Sequence, residues 1–259
     1  MTTPRILIVA GSDSGGGAGI QADIKTVTML GGHAMTAITA ITAQNTLGVQ
    51  AVMPVPTEMV IAQIDSVVSD IGVDAVKIGM IGSPETAHAV ADRIEHLAVP
   101  IVFDPVMVAT SGSVLADEAT IAAFGRLMRM ASVVTPNVPE LAALGGEQAV
   151  LAHGCHLLAK GGHAEGHYVV DRLISPSSGE IRRLEGKRFD TDDTHGTGCT
   201  LASALATGLG RGFTIEKAFE QAVSFVRIAI IEAPGLGEGH GPLGQQYVTD
   251  FQWGERDHD

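Results

Sequence analysis

This chain of 259 residues is most informative first in what it has little of. Two cysteines, Cys155 and Cys199, cannot build a disulfide framework, which suits a reducing, cytoplasmic setting. Aromatic residues are few (one Trp, two Tyr, seven Phe), which argues against an aromatic-cored β-sandwich. Basic side chains are outnumbered, 16 Lys and Arg against 29 Asp and Glu for a net charge of −13. That balance disfavours a nucleic-acid groove or an anionic membrane surface as partner, while leaving room for a local phosphate site. No apolar run is long enough to span a bilayer. The first apolar stretch, Ile6–Ala10, is too short for the core of a signal peptide and enters a Gly-rich loop. There is no fixed-period repeat and no Pro/Ser-rich linker, so a single domain over residues 1–259 is expected.

What is present is a 45% hydrophobic complement, enough for a sizeable core, and 32 glycines, which favour tight strand–helix turns. Strand-like and helix-like windows alternate. Strands are expected at 5–10, 75–78, 101–103, 132–134 and 155–160, with a meander at 168–174 and 180–189. A further pair at 33–42 and 49–55, turning at 45–48, forms a candidate flap. Helices are expected at about 20–30, at 57–71 with Thr57 as cap, and from Ser83-Pro84-Glu85 to Leu97. More are expected near 117–130, from Val138, at 197–208 and at 215–232. The alternation predicts a mostly parallel sheet with helices on both faces, joined by right-handed crossovers.

Gly11–Gly19 follows a strand and opens a helix, where backbone N–H groups can meet a ligand. It resembles a dinucleotide fingerprint, but residues 33–57 contain no acidic side chain to hold a ribose, so the NAD reading fails. Asp23 either complements the helix dipole or points a carboxylate into the cleft. A P-loop and a Gly-x-Ser-x-Gly elbow are both missing. His153, Cys155, His156, His163 and His167 raise the question of zinc, but the glycines around the last two place them on a loop rather than one helical face.

Asp192–Thr200 precedes an Ala-rich helix, and its Gly196 and Gly198 let N–H groups face an anion at the positive end of that helix. This suits charge developing on a transferring phosphoryl group. Cys199, in the first helical turn, is open to two readings. It is either a base toward a substrate hydroxyl, with its pKa lowered from about 8.5 into a range of roughly 3.5–7.5, or a small buried thiol. Asn137 and Glu140, three apart in Thr135–Glu140, suit Mg²⁺ held through water. Lys160 at a strand end offers a cation near phosphates, and Asp104 is a third polar strand end. Ligands of open α/β sheets bind at the carboxyl ends of strands, where Gly11, Asp104, Asn137 and Lys160 would meet.

The chain resembles the hydroxymethylpyrimidine/phosphomethylpyrimidine kinases, within the ribokinase-like superfamily. The matching segments run in family order: Gly11–Asp13 with Gly15–Asp23, Ala43–Thr46, Lys77–Met80, Asp104–Gly112, Thr135–Glu140, Lys160–His163, Thr194–Leu201 and Gly239–Pro242. The resemblance implies a three-layer α/β/α sandwich and two successive ATP-dependent phosphorylations, of 4-amino-5-hydroxymethyl-2-methylpyrimidine and then of its monophosphate. It implies that Gly11, Asp23, Gln44, Met80 and Val106 line the pyrimidine pocket, and Gln44 suits this because an amide both donates and accepts. It places Asp104 and Glu140 on the Mg²⁺ side, and Lys160, Asn137 and Thr194 on the ATP side. Gly196, Thr197, Gly198 and Cys199 form the catalytic anion hole, and the 33–55 flap is the pairing region of a homodimer. Two departures stand out: Ser14-Gly15 replaces an expected Pro-Ser pair, and the interval from Asn137 to Lys160 is short. Pyridoxal kinases of the same branch are the rival. They tend to carry a second cysteine where this chain reads Val108–Gly112, which favours the pyrimidine.

Overall fold

In a computed structural model the chain is described at residues 3–109, 112–162, 166–249 and 251. Nine strands form one sheet: β1 (Arg5–Asp13), β2 (His33–Asn45), β3 (Gly48–Pro54), β4 (Ala75–Ile78), β5 (Ile101–Phe103), β6 (Val133–Val134), β7 (His156–Ala159), β8 (Tyr168–Ser175) and β9 (Gly179–Lys187). Their order is β3-β2-β1-β4-β5-β6-β7-β8-β9. The strands from β2 to β7 in that order are mutually parallel, whereas β3, β8 and β9 join antiparallel at the margins. The chain runs outward from β1 to β2 and then restarts on the other side at β4. The gap beyond the ends of β1 and β4 is therefore a topological switch point, where such sheets bind ligands.

The central strands read as apolar runs because both faces are covered. Along β1, Leu7 and Val9 face one core, against Val60 and Ile64 of α2 (Thr57–Asp70), Val90 of α3 (Pro84–Ile94) and Phe124 of α4 (Glu118–Met130). Ile6, Ile8 and Ala10 face the other, against Val27 of α1 (Gly19–Met29), Leu205 of α7 (Thr197–Gly210) and Phe219 of α8 (Ile215–Ile231). This is the expected three-layer sandwich. Helix α7 is buried from Thr200 to Gly208, and its small side chains let it lie directly on the sheet.

Local chemistry sets most boundaries. Ser83 caps α3 by accepting from the Thr86 N–H, with Pro84 at the first helical position, and Asp117 caps α4 through the Thr120 N–H. Thr57 does not cap α2 as expected: Pro56 occupies that position, and the Thr57 hydroxyl pairs with that of Thr86 at 2.9 Å. Strand β1 runs three residues beyond the expected end, through a register slip between Ala10 and Ser12 that carries Gly11 into the cleft. The helix expected from Val138 is two short ones, α5 (Val138–Ala143) and α6 (Glu147–Leu151), divided where Gly145 and Gly146 take φ of +87° and +90°. They fill the short interval before β7.

Candidate active site

A cleft of about 820 Å³ opens at the carboxyl ends of the parallel strands. Of the residues singled out from sequence, it is lined by Gly11, Gln44, Met80, Asp104, Val106, Asn137, Glu140, Lys160, Thr194, Gly196, Thr197, Gly198 and Cys199. Asp23 is the exception. It is fully buried below the floor, where its carboxylate accepts from Lys77 Nζ at 2.9 and 3.0 Å and from Ser203 Oγ at 2.7 Å. It does not line this cleft; α1 turns it toward β4, and Lys77 is the partner that reaches the cleft. Burial penalises the Lys77 ammonium, but Asp23 outweighs it and holds the lysine charged, above its ordinary pKa.

Asp104, at the end of β5, accepts from Lys160 Nζ at 2.7 Å and Thr135 Oγ1 at 2.8 Å, and Glu140 Oε2 lies 3.9 Å from the same ammonium. Although buried, Asp104 is held below the usual carboxylate range by Lys160 and Lys77. Burial, with Asp104 alongside, pushes Glu140 up despite Lys160. Asn137 and Glu140 first serve the helix. Asn137 Oδ1 accepts the Glu140 N–H at 2.9 Å, and Glu140 Oε2 accepts the Asn137 N–H at 2.8 Å. The cap uses one lone pair of the Asn137 oxygen and leaves the other, with the NH₂, for a water or a ligand.

Gly196 starts α7 with φ +85°, and a Cβ there would come 1.8 Å from the Gly17 carbonyl oxygen, so only glycine fits. The first-turn N–H groups of Gly198 and Cys199 make no bond to the carbonyl four residues back, and both residues line the cleft. Thr197 instead ties both its N–H and its hydroxyl to the Thr194 carbonyl, at 3.2 and 2.7 Å. Lys160 Nζ stands next to Gly198, 3.1 Å from where a Cβ would project. Of the two readings of Cys199, its surroundings favour the neutral thiol over the thiolate. Burial pushes its thiol up to about 11, although Lys77 and the Gly19 backbone N–H pull the other way.

Several cleft residues were not singled out from sequence. Asp13 and His195 stand at the junction of the two Gly-rich loops. Their signal was present, since both lie inside the quoted motifs, but only folding brings them together. At the far end Asp171, Phe189, Val223, Val226, Arg227 and Ile230 form a wall, with the Arg227 guanidinium 4.8 Å from the Phe189 ring centre. Of the histidines weighed for zinc, His163 lies outside the described residues, as do Thr110 and Ser111 of the Asp104–Gly112 motif.

The sequence model of the family described as "Phosphomethylpyrimidine kinase" matches residues 13–244. A Rhizobium meliloti hydroxymethylpyrimidine/phosphomethylpyrimidine kinase is 45% identical over 258 residues, covering 93% of this chain and 96% of the relative. A protein of the same name from Streptomyces coelicolor is 46% identical, covering 94% of each chain. Among solved structures, Bacillus subtilis pyridoxal kinase in complex with ADP superposes with a TM-score of 0.87 at 31% identity, over 95% of this chain and 99% of that one. Phosphomethylpyrimidine kinase from Clostridium difficile gives 0.74 at 35% identity, over 88% and 100%. With its parallel sheet, its switch-point cleft and this breadth of similarity, the chain belongs to the phosphomethylpyrimidine kinase family.

Proposed function

We propose that this protein transfers the γ-phosphoryl group of ATP to the 5-hydroxymethyl oxygen of 4-amino-5-hydroxymethyl-2-methylpyrimidine, and then a second phosphoryl group to the monophosphate. The observation that carries this reading is one cavity with an anion-binding helix start and a lysine at its centre, and an amide with apolar side chains at one end. Gln44 would recognise the aminopyrimidine edge, with Gly11, Met80 and Val106 enclosing the ring. Lys160, Asn137 and Thr194 would lie along the triphosphate, and the wall of Phe189, Val223 and Arg227 suits a flat nucleobase. Asp104 and Glu140 are hard oxygen donors of the kind Mg²⁺ takes. Among the described residues no three His, Cys, Asp or Glu side chains converge, so the ion would share these two carboxylates with phosphate oxygens and water. When bound it supplies charge neutralisation.

The work left to the chain is positioning and electrostatics, which suffice for a loose phosphoryl-transfer transition state. The acceptor hydroxyl is aimed at the phosphorus from the Gln44 side. Gly198 and Cys199 N–H groups meet the equatorial oxygens, and Lys160 neutralises the charge spreading toward the leaving oxygen. A protonated Cys199 at neutral pH fits this account better than a preformed thiolate base.

The flap supports pairing of two copies. Edge strand β3 exposes Val52 and Met53 (43% and 58%), and Ile41 on β2 and Leu47 in the turn are exposed beside them. The deciding experiment is ADP release from Mg-ATP with the pyrimidine, its monophosphate, pyridoxal or no acceptor. Turnover on both pyrimidines with little on pyridoxal is expected. Pyridoxal is the second reading because a pyridoxal kinase superposes so fully. If it reacts fastest, the acceptor assignment falls while phosphoryl transfer stands.

A further inference from the structure

Asp13 and His195 are 182 positions apart in the chain and meet at the centre of the site. The Asp13 carboxylate collects the N–H groups of Gly15, Gly17 and Ala18 at 2.8, 3.0 and 2.8 Å, and so shapes the first Gly-rich loop. Its Oδ2 also faces His195 Nε2 at 2.9 Å, with both side chains almost fully buried. His195 immediately precedes Gly196, the left-handed residue that starts the anion loop and packs against the Gly17 carbonyl. The same Nε2 lies 3.2 Å from the Gln44 amide.

A ring nitrogen carries either a proton or a lone pair, never both. The Asp13 carboxylate selects the form with the proton on Nε2, and that N–H cannot also accept from the Gln44 NH₂. Gln44 is therefore not anchored by His195, and its amide oxygen accepts from the Thr42 hydroxyl at 3.1 Å. The NH₂ and the Nε2–H instead meet as donor against donor, a contact that a ligand accepting from the Gln44 NH₂ would relieve. The backbone continues the link: His195 N–H donates to the Gly241 carbonyl at 3.0 Å. His240 N–H donates to the Thr46 carbonyl at 3.0 Å, and Gly239 N–H to the Thr46 hydroxyl at 3.3 Å. The Gly239–Pro242 segment thus straps the flap turn to the loop carrying His195.

We propose that His195, held by Asp13, is a positioning residue that couples occupation of the Gln44 side of the cleft to the order of the anion loop. Acceptor and nucleotide then bind with positive cooperativity. This rests on the functional reading above, in that the acceptor is taken to be the aminopyrimidine.

The test is calorimetric titration with a non-hydrolysable β,γ-methylene ATP analogue and Mg²⁺, with and without saturating hydroxymethylpyrimidine. The wild-type protein should bind the analogue at least about fivefold more tightly when the pyrimidine is present, and by linkage the reverse ratio must be equal. His195→Leu should bring both ratios to about one. His195→Gln, which can still donate toward Asp13, should recover part of the coupling. A merely structural role would weaken both ligands while leaving the ratio intact, and that result would overturn the proposal, as would a wild-type ratio of one. Should the leucine variant not fold, Asp13→Ala removes the same bond from its other side and is read in the same way. If the wild-type protein binds the analogue but not the pyrimidine, the acceptor assignment itself fails and this inference with it.

Discussion

The parallel centre of the sheet and its antiparallel margins are built by different rules and contribute differently to the site. Strands β4, β5 and β6 are buried at every position, and from their ends come Asp104 and the segment leading to Glu140. The margins are partly open to solvent. β3 is exposed along most of its length and β9 along two-thirds of it, yet the flap brings in Gln44 and the β8–β9 side brings Asp171 and Lys187. On the proposed function, the centre would hold the groups that handle phosphate, and the margins groups that select what is placed against it. A fixed phosphoryl-transfer core flanked by replaceable edges fits a cleft whose solved relatives include both pyrimidine and pyridoxal kinases.

This contrast can be broken hardest at Lys77. Lys77→Met strands the Asp23 carboxylate in a site with no solvent, so a loss of about 3–5 kcal/mol is expected in chemical denaturation. If the loss stays under about 1 kcal/mol, Asp23 is neutral in the folded protein. Next comes Cys199→Ala. A fall in kcat of at least about tenfold, with pyrimidine affinity nearly unchanged, is expected for a group at the reacting end. Because the thiol is pushed up to about 11, wild-type kcat should show no thiol titration between about pH 7 and 9. A midpoint in that range would mean that ligands draw the proton off.

A smaller effect is expected from acid. Asp13 is held below its ordinary 3.8 by hydrogen bonds from His195, Ala18 and Gly15 that outweigh burial, and Asp104 is held low by the lysines. The unfolded chain then binds more protons than the native one, so this stability is present above pH 3.8 and lost as pH falls through the native values. Melting temperatures measured downward from pH 5 should fall, and Asp13→Asn should flatten that fall. The smallest effect on the monomer belongs to the margin. Met53→Asp should change stability by no more than about 0.5 kcal/mol while shifting sedimentation from dimer to monomer. A wild-type protein that sediments as a monomer would remove the flap's pairing role.

Much of the centre is legible in the sequence, because a buried parallel strand is a continuous apolar run and its last residue is where polarity returns. Asp104 and Lys160 are marked in this way, and Gly196 and Gly198 are marked by the helix that follows them. What escapes depends on distant partners. Nothing near Asp23 says that Lys77 will neutralise it, since a lysine in mid-strand looks like an outward-facing residue. Nothing near Cys199 shows that the surrounding elements will shield it from solvent beside Asp23 and Asp104, so local rules for a helix start point the other way for its pKa. Thr57 looks like a cap until Pro56 and Thr86 are placed beside it.

The interlock of Gly196 with Gly17 also bears on how the molecule is made. The two glycines belong to the first and last thirds of the chain, and their contact tolerates no intervening atom. A chain emerging from the ribosome can pair β1 with β2 and β4 long before α7 exists, but the anion loop has nothing to seat against until both ends are in place. Closing so long a loop is a late and slow step by its entropy alone. Catalytic competence is thus withheld from partly folded chains, and the onset of nucleotide binding should mark the end of folding.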